Sequence, residues 1–193
     1  MPQRGLLLVL SEPSAALEEE LNAWYDSEHV PERLAIDGFI SAARFVSTDR
    51  SRRYLTLYDL DGIDVLHSEQ YKAHAAGNYT PWTRRIVAKA RFTRVEAVQE
   101  LPGDASLVAA PGLLLVEATL PYPSRVGEVE SAAQHCFGGR PEVFQYRVFG
   151  GRAQHADRSY VIATGVGDLS SLVRADAFGG SARLAGVERF RPY

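Results

Sequence analysis

Apolar positions along the chain switch between a helical period and strict alternation in a regular order. Leu17, Leu21 and Trp24 fall on an i, i+4, i+7 stripe, which predicts an amphipathic helix. Ser14 is its candidate N-cap, and Glu18, Glu19 and Glu20 place negative charge in the first turn, where the helix dipole favours it. Pro31 disfavours helical dihedrals at Val30, so this helix is expected to end near His29 and a short turn to restart at Pro31, closed by Gly38. Strand-like runs follow from Phe39 to Ser47 and from Arg53 to Leu60. A second helix is expected from about Ile63 to Ala76 with Gly77 as its C-cap, and then a strand from about Ala88 to Val98. The order is βαββαβ.

The pentapeptide Gly5-Leu6-Leu7-Leu8-Val9 recurs letter for letter as Gly112-Leu113-Leu114-Leu115-Val116, near the midpoint of the 193 residues. After the second copy the chain predicts a helix from Ser124 to Phe137 and strands at Val143–Phe149 and Ser159–Thr164. A short helix at Leu169–Phe178 and a strand at Ala182–Phe190 complete the same order. A βαββαβ unit is the ferredoxin-like arrangement, an antiparallel sheet with two helices on one face. The bare face of one copy can be buried against that of the other. The expected architecture is therefore α+β: two ferredoxin-like repeats packed sheet to sheet as a pseudo-twofold barrel. Residues 1–98 form the first repeat, 99–111 a linker marked by Pro102-Gly103-Asp104, and 112–193 the second.

The copies differ where chemistry is concentrated. The first alone carries Thr80-Pro81-Trp82-Thr83-Arg84-Arg85, whose Thr80 and Pro81 are helix-start signals, and the first alone carries His29-Val30-Pro31-Glu32-Arg33. The main site is accordingly expected in the first repeat.

Trp24-Tyr25-Asp26-Ser27-Glu28-His29 packs hydrogen-bonding and proton-transferring groups into two helical turns. His29 is the candidate general acid/base, since an imidazole ordinarily titrates near neutrality, and Tyr25, four residues earlier, shares its face. At a helix end exposed carbonyls would favour the imidazolium and burial would oppose it. Alternation on the next strands puts Tyr54, Thr56 and Tyr58 on one face and sets Arg44 apart from Ala43 and Phe45. Phenols and a guanidinium around an aromatic hollow would suit a small molecule; the alternative is a tyrosine-rich outer face. Arg33 and Arg44 are candidate anion holders or surface ion-pair residues. Trp24, Tyr58 and Trp82 complete the candidate substrate wall, with Tyr71 and Tyr79 near the extra segment as a lid. His67 and His74, seven apart, are candidate axial haem ligands, but no Cys-x-x-Cys-His or dense ligand cluster accompanies them. No metal and no cofactor are called for.

Composition narrows the class. A net charge of −3 gives no broad attraction to nucleic acid. Cys136 is the sole cysteine, which excludes an internal disulfide and fits a reducing, cytoplasmic setting. The apolar run Leu6–Leu10 is too short for a signal core or a membrane span. Arginine supplies 19 of the 21 basic residues, a bias of GC-rich bacterial coding.

The block from Leu21 to Phe45, with Trp24-Tyr25, His29-Val30-Pro31, Asp37-Gly38-Phe39 and Arg44-Phe45, resembles the first helix and second strand of dimeric α+β barrel proteins of the EthD-like kind. Asp37 stands where those relatives carry proline. The resemblance implies an apolar cleft between helices and sheet with the helix histidine at its edge. It does not choose among the superfamily's muconolactone isomerases, polyketide cyclases, cofactor-free monooxygenases and haem-degrading enzymes. The leading expectation is a cofactor-independent lyase, isomerase or cyclase on a small aromatic or polyketide-like molecule. His29 would move the proton, Tyr25 or Tyr54 would steady an oxyanion, and Arg44 would bind substrate charge. The alternatives are a non-catalytic binding protein and a haem-binding or monooxygenase relative. A homodimer is compatible with either.

Overall fold

The computed structural model describes residues 3–75, 78–122 and 125–193. Eight antiparallel strands close a barrel: β1 Gly5–Glu12, β2 Phe39–Ser47, β3 Tyr54–Leu60, β4 Arg91–Leu101, β5 Gly112–Thr119, β6 Val143–Gly151, β7 Arg158–Gly165 and β8 Arg183–Pro192. Their order around it is β1-β3-β2-β8-β5-β7-β6-β4. The halves therefore repeat one topology, β4-β1-β3-β2 and β8-β5-β7-β6. They are joined at two seams, Val46 opposite Arg191 in one and Val98 opposite Gly150 in the other. Mixed α+β architecture of ferredoxin-like lineage is thus as expected, with β4 running on to Leu101 into the stretch read as linker.

Alternation sorts every strand between two environments. One set of side chains, including Leu6, Leu8, Phe45, Leu55, Leu57, Val95, Leu115, Phe149, Ile162 and Phe190, fills the barrel. The opposite set faces the helices. At one end of the barrel interior Arg147, fully buried, donates from Nη1 to Asp59 Oδ1 at 2.7 Å and to Gln99 Oε1 at 3.1 Å. Asp59 also accepts from the Leu107 amide at 2.9 Å, so one ion pair ties β3 and β6 to the segment between the repeats.

In the second half the helix-facing side is closed by α5 (Val126–Phe137) and the two 3₁₀ turns Leu169–Leu172 and Ala175–Phe178. A single helix had been expected over 169–178; it is interrupted at Val173 and Arg174. Phe137, Phe178, Leu114, Val116 and Val129 pack into one cluster there. In the first half the helical layer is α1 (Glu18–Trp24), a π turn (Tyr25–His29), α2 (Val30–Leu34), a 3₁₀ turn (Ile63–His67), α3 (Glu69–Ala73) and α4 (Pro81–Lys89). Expected residues Ala76, Gly77 and Ser124 lie outside the described residues.

Three local expectations change. Ser14 does not cap α1, whose N-cap is Leu17 with no side-chain bond. The helix expected over 63–76 breaks at Ser68, which is extended and caps α3 through the Tyr71 amide. Above all, Pro31 does not end the first helix. Val30 stays helical (φ −64°, ψ −46°), and its N–H reaches back to the Tyr25 carbonyl, a π-type bond. Proline would clash with the carbonyl four residues earlier in a regular α-helix; widening the preceding turn relieves this and lets the chain run on to Leu34. Gly38 closes the segment at φ +90°, where an added Cβ would run into the Val65 side chain. The helix signals Thr80 and Pro81 hold, Thr80 Oγ1 accepting from the Thr83 amide at 3.0 Å.

Replacing Arg147 by methionine would strand the Asp59 carboxylate in the barrel. A loss of about 3–5 kcal/mol in urea denaturation is expected, partly recovered in the double variant with Asp59→Asn.

Candidate functional site

Between the first-half helices and the outer face of β1, β3 and β4 lies a cavity of about 520 Å³, within the range of small-molecule sites. Trp24, Tyr25, Tyr58, Tyr71, Tyr79 and Phe92 supply aromatic walls, with Leu7, Val9, Leu66 and Val87 between them. His29, Arg33, His67, Lys72, Arg94 and Glu96 bring the ionisable groups. The matching space in the second half is occupied by Phe137, Phe178 and their neighbours.

The π turn builds the histidine's position. In an α-helix, residues five apart point in divergent directions. The widened turn instead brings His29 over Trp24, ring centroids 4.2 Å apart and nearly parallel, with Tyr25 edge-on at 5.4 Å. Trp24 is itself fixed by donating from Nε1 to Thr83 Oγ1 at 2.9 Å. Thr83 in turn donates to Glu28 Oε1 at 2.8 Å, and Thr80 donates to the same oxygen at 2.6 Å. The extra helix found only in the first repeat is thereby bolted to the turn that carries His29.

His29 Nδ1 is sealed from solvent with no hydrogen-bond partner. Burial, and secondarily the Arg33 guanidinium, push the imidazole down to about 3 from its ordinary value. Of the two opposing influences on His29 expected from the sequence, burial is the larger, and it favours the neutral ring. The helix continues to Leu34, so His29 does not stand at a helix end as expected. Tyr58 is fully buried with no partner for its hydroxyl, and burial, helped by Tyr25, pushes that phenol well above its usual value. Burial also raises Tyr25. Arg33 is 4 % exposed; its Nη2 donates to the His74 carbonyl at 2.9 Å, its guanidinium sits 5.1 Å from the Tyr71 ring centre, and Nη1 has no partner.

Of the residues singled out in the sequence, Trp24, Tyr25, His29, Arg33 and Tyr58 line this cavity. Arg44, Tyr54 and Trp82 do not. Arg44 is committed to Asp26 Oδ1 at 2.5 Å and Asn22 Oδ1 at 2.6 Å, and is sandwiched between the Tyr25 and Tyr193 rings, 4.5 and 4.3 Å from their centres. It clamps the helix to β2 and backs Tyr25. Tyr54 donates to Glu18 Oε1 at 2.5 Å and packs with Leu17, Leu21 and Ile86, while Trp82 covers that cluster. Residues missed in the sequence are Thr83, Arg94, Glu96 and Glu28. The β4 signal was available, since Phe92, Arg94 and Glu96 alternate with barrel-facing Thr93, Val95 and Ala97.

The two histidines weighed for haem are not one helical face. His74 caps α3 with Nδ1 2.9 Å from the Gln70 carbonyl, and His67, in the preceding turn, sits exposed at the cavity rim, 3.8 Å from Glu96. His74 is committed to its own helix and His67 is mostly exposed beside a carboxylate, so neither fits the part of a buried axial haem ligand. Among the described residues no cluster of three or more His, Cys, Asp or Glu side chains is placed to hold a metal, and no helix is long and apolar enough to cross a membrane.

No family model matches the chain, and no curated protein matches it. Solved structures do match over its whole length. An anthrone oxidase-like protein superposes at 12% identity over 100% of this chain and 92% of its own, TM-score 0.58. A putative monooxygenase from Fusobacterium nucleatum does so at 8% identity over 99% and 92%, TM-score 0.59. A putative chlorite dismutase does so at 12% identity over 99% and 95%, TM-score 0.60. At such identities the likeness is one of fold, and it places the chain's architecture with that of these α+β barrel proteins.

The depressed His29 carries a stability consequence whose sign is fixed. The unfolded histidine takes up a proton near pH 6.5 and the folded one only near 3, so protons favour the unfolded chain between those values. The contribution is complete above about pH 6.5 and is lost on acidification, at most about 1.4 kcal/mol per pH unit. In denaturant titrations at a series of pH values, His29→Gln should lose less stability than the parent between pH 6.5 and 4. Equal losses would show that His29 does not stay neutral in the fold.

Proposed function

We propose that the first-repeat cavity is the active site of a cofactor-independent enzyme. It carries out proton transfer on a small aromatic carbonyl compound, in a reaction of the lyase, isomerase or cyclase kind. The observation that carries this reading is the neutral, unpartnered imidazole of His29, stacked on Trp24 inside an aromatic cavity that also holds the unpartnered Tyr58 hydroxyl. A base must be unprotonated and within reach of its proton; a phenol that stays protonated is a fixed donor for the oxygen on which charge develops. His29 would remove a proton from the carbon beside a carbonyl, electrons would shift to the carbonyl oxygen, and Tyr58 would donate to that oxygen. The imidazolium would then return the proton to the new position. Tyr58 takes the part expected of Tyr54, and Tyr25 holds the imidazole edge-on.

The EthD-like resemblance of residues 21–45 supports the histidine as the working group. The anthrone oxidase-like neighbour is in keeping with it, because an anthrone is an aromatic ketone with an acidic C–H. Arg33, behind His29, lowers the cost of any negative charge formed in the cavity. The protein would work as a soluble enzyme without nucleic-acid or membrane partners, and a homodimer fits it.

Exchange of acidic ring-adjacent protons into deuterated water, followed by NMR with anthrone or 1-tetralone, reads the first step whatever the final product. His29→Ala should reduce exchange by about 10²–10⁴-fold and Tyr58→Phe by about 10²–10³-fold, both variants keeping the far-UV spectrum of the parent. The parent's rate should show no inflection near pH 6.5. Binding of these ketones with no catalysed exchange would favour a protein that holds its ligand unchanged.

A further inference from the structure

Two arginines are buried in this molecule, and they are treated differently. Arg147 lies in the barrel against the Asp59 carboxylate. Arg33, 4 % exposed, touches no carboxylate among the described residues. What it has is a backbone carbonyl, that of His74, on Nη2 and the face of Tyr71 beneath it, leaving Nη1 sealed and bare. Taking a cation out of water without a counter-ion is unfavourable, and natural cores supply one. Here the guanidinium is held in place from two sides, and Tyr71 is itself steadied by stacking on Phe39 at 5.9 Å, so the bare nitrogen is preorganised rather than loosely packed.

The surroundings point the same way. Lys72 and Arg94 also line the cavity against one lining carboxylate, Glu96, which Arg94 holds at 2.6 Å. Arg94 also approaches the Tyr71 ring, so two guanidinium groups flank it. Lys72 is in turn held by Glu69 at 2.7 Å, so among the described lining residues Arg33 is the cation left without a carboxylate.

We propose that the cavity's ligand bears a permanent carboxylate, paired with the Arg33 guanidinium, so that the substrate class is an aromatic carboxylic acid whose ring lies among Trp24, Tyr58 and Phe92. This rests on the cavity being the ligand site, as proposed above, and adds the charge that the ligand must carry. An arginine–carboxylate contact is a charge-assisted hydrogen bond, whereas a neutral isostere leaves the cation as it was. Arg33 is then a ground-state binding residue: it acts on affinity before any proton moves.

The test compares 2-naphthoate with 2-naphthamide, equal in shape and differing in charge, by titration calorimetry at pH 7 and low salt. The parent should bind the carboxylate at least about tenfold more tightly than the amide. Arg33→Met should erase the preference by weakening the carboxylate alone, with amide affinity within about twofold, and Arg33→Lys should restore part of it. Equal affinity of the parent for both ligands would overturn the inference while leaving an aromatic site intact, and it needs no variant that must fold. A preference that survives in Arg33→Met would overturn it equally. Binding of neither ligand at millimolar concentration would overturn the inference together with the cavity reading beneath it.

Discussion

A four-stranded sheet has two faces, and this chain buries one of each pair by closing both sheets into a single barrel. That closure leaves each outer face to be covered by whatever helices its own half provides, and it is the completeness of that cover that decides where a site can exist. In the second half α5 and the two 3₁₀ turns supply Phe137 and Phe178, and the space is filled. In the first half the helical layer holds large aromatic rings at its edges, and a cavity remains between them. Two copies of one topology thus differ in how their outer faces are covered, because side-chain volume, not backbone order, differs between them.

The geometry of that site is set by how the first helix survives Pro31. A proline that removes one hydrogen bond and crowds a carbonyl would ordinarily stop it. The π turn instead adds width at Tyr25–His29, and width changes which residues are neighbours. Trp24 and His29 meet only because of it. Such a turn is less favourable than regular helix and persists where its surroundings hold it. Here they do so from two directions: Arg44 grips Asp26 and Asn22 while lying under Tyr25, and Thr83 and Thr80 grip Glu28. The polar residues between the aromatic ones, which read as solvated helix surface, are the fastening of the turn.

Much of this was legible in the chain. The repeated pentapeptide and the alternating runs were enough for the order of elements along each half, because strand period and turn chemistry are local properties. The cavity wall was partly legible too: Trp24, Tyr25, His29, Arg33 and Tyr58 converge as their spacing implied. What failed was the choice between residues of equal pattern. Tyr54 and Tyr58 share a face of β3, but α1 brings Glu18 over Tyr54 and leaves Tyr58 bare. Arg44 and Arg33 were matched candidates, yet Arg44 meets Asp26 and Asn22 on the helix above it, while Arg33 is enclosed by α3, an element distant in sequence. Periodicity assigns a face; it does not say which partner reaches that face first.

The pairing of His29 with Arg33 also bears on how a histidine so reluctant to take a proton can serve as a base. Burial, and secondarily the guanidinium, disfavour an imidazolium in the resting protein and so favour the neutral ring. Neither condition is constant through a reaction. When a proton leaves a bound carbonyl compound for Nδ1 or Nε2, negative charge appears on the ligand at the same moment, close to both cations. The imidazolium then faces that new anion, and the low local dielectric that opposed its charge strengthens the attraction. On the proposed reading, basicity is therefore low before the transfer and rises with it. Arg33 contributes to both halves of that change. After burial it is the second influence against an imidazolium in the resting protein, and once its charge is met by the ligand's carboxylate that opposition is relieved as the proton moves.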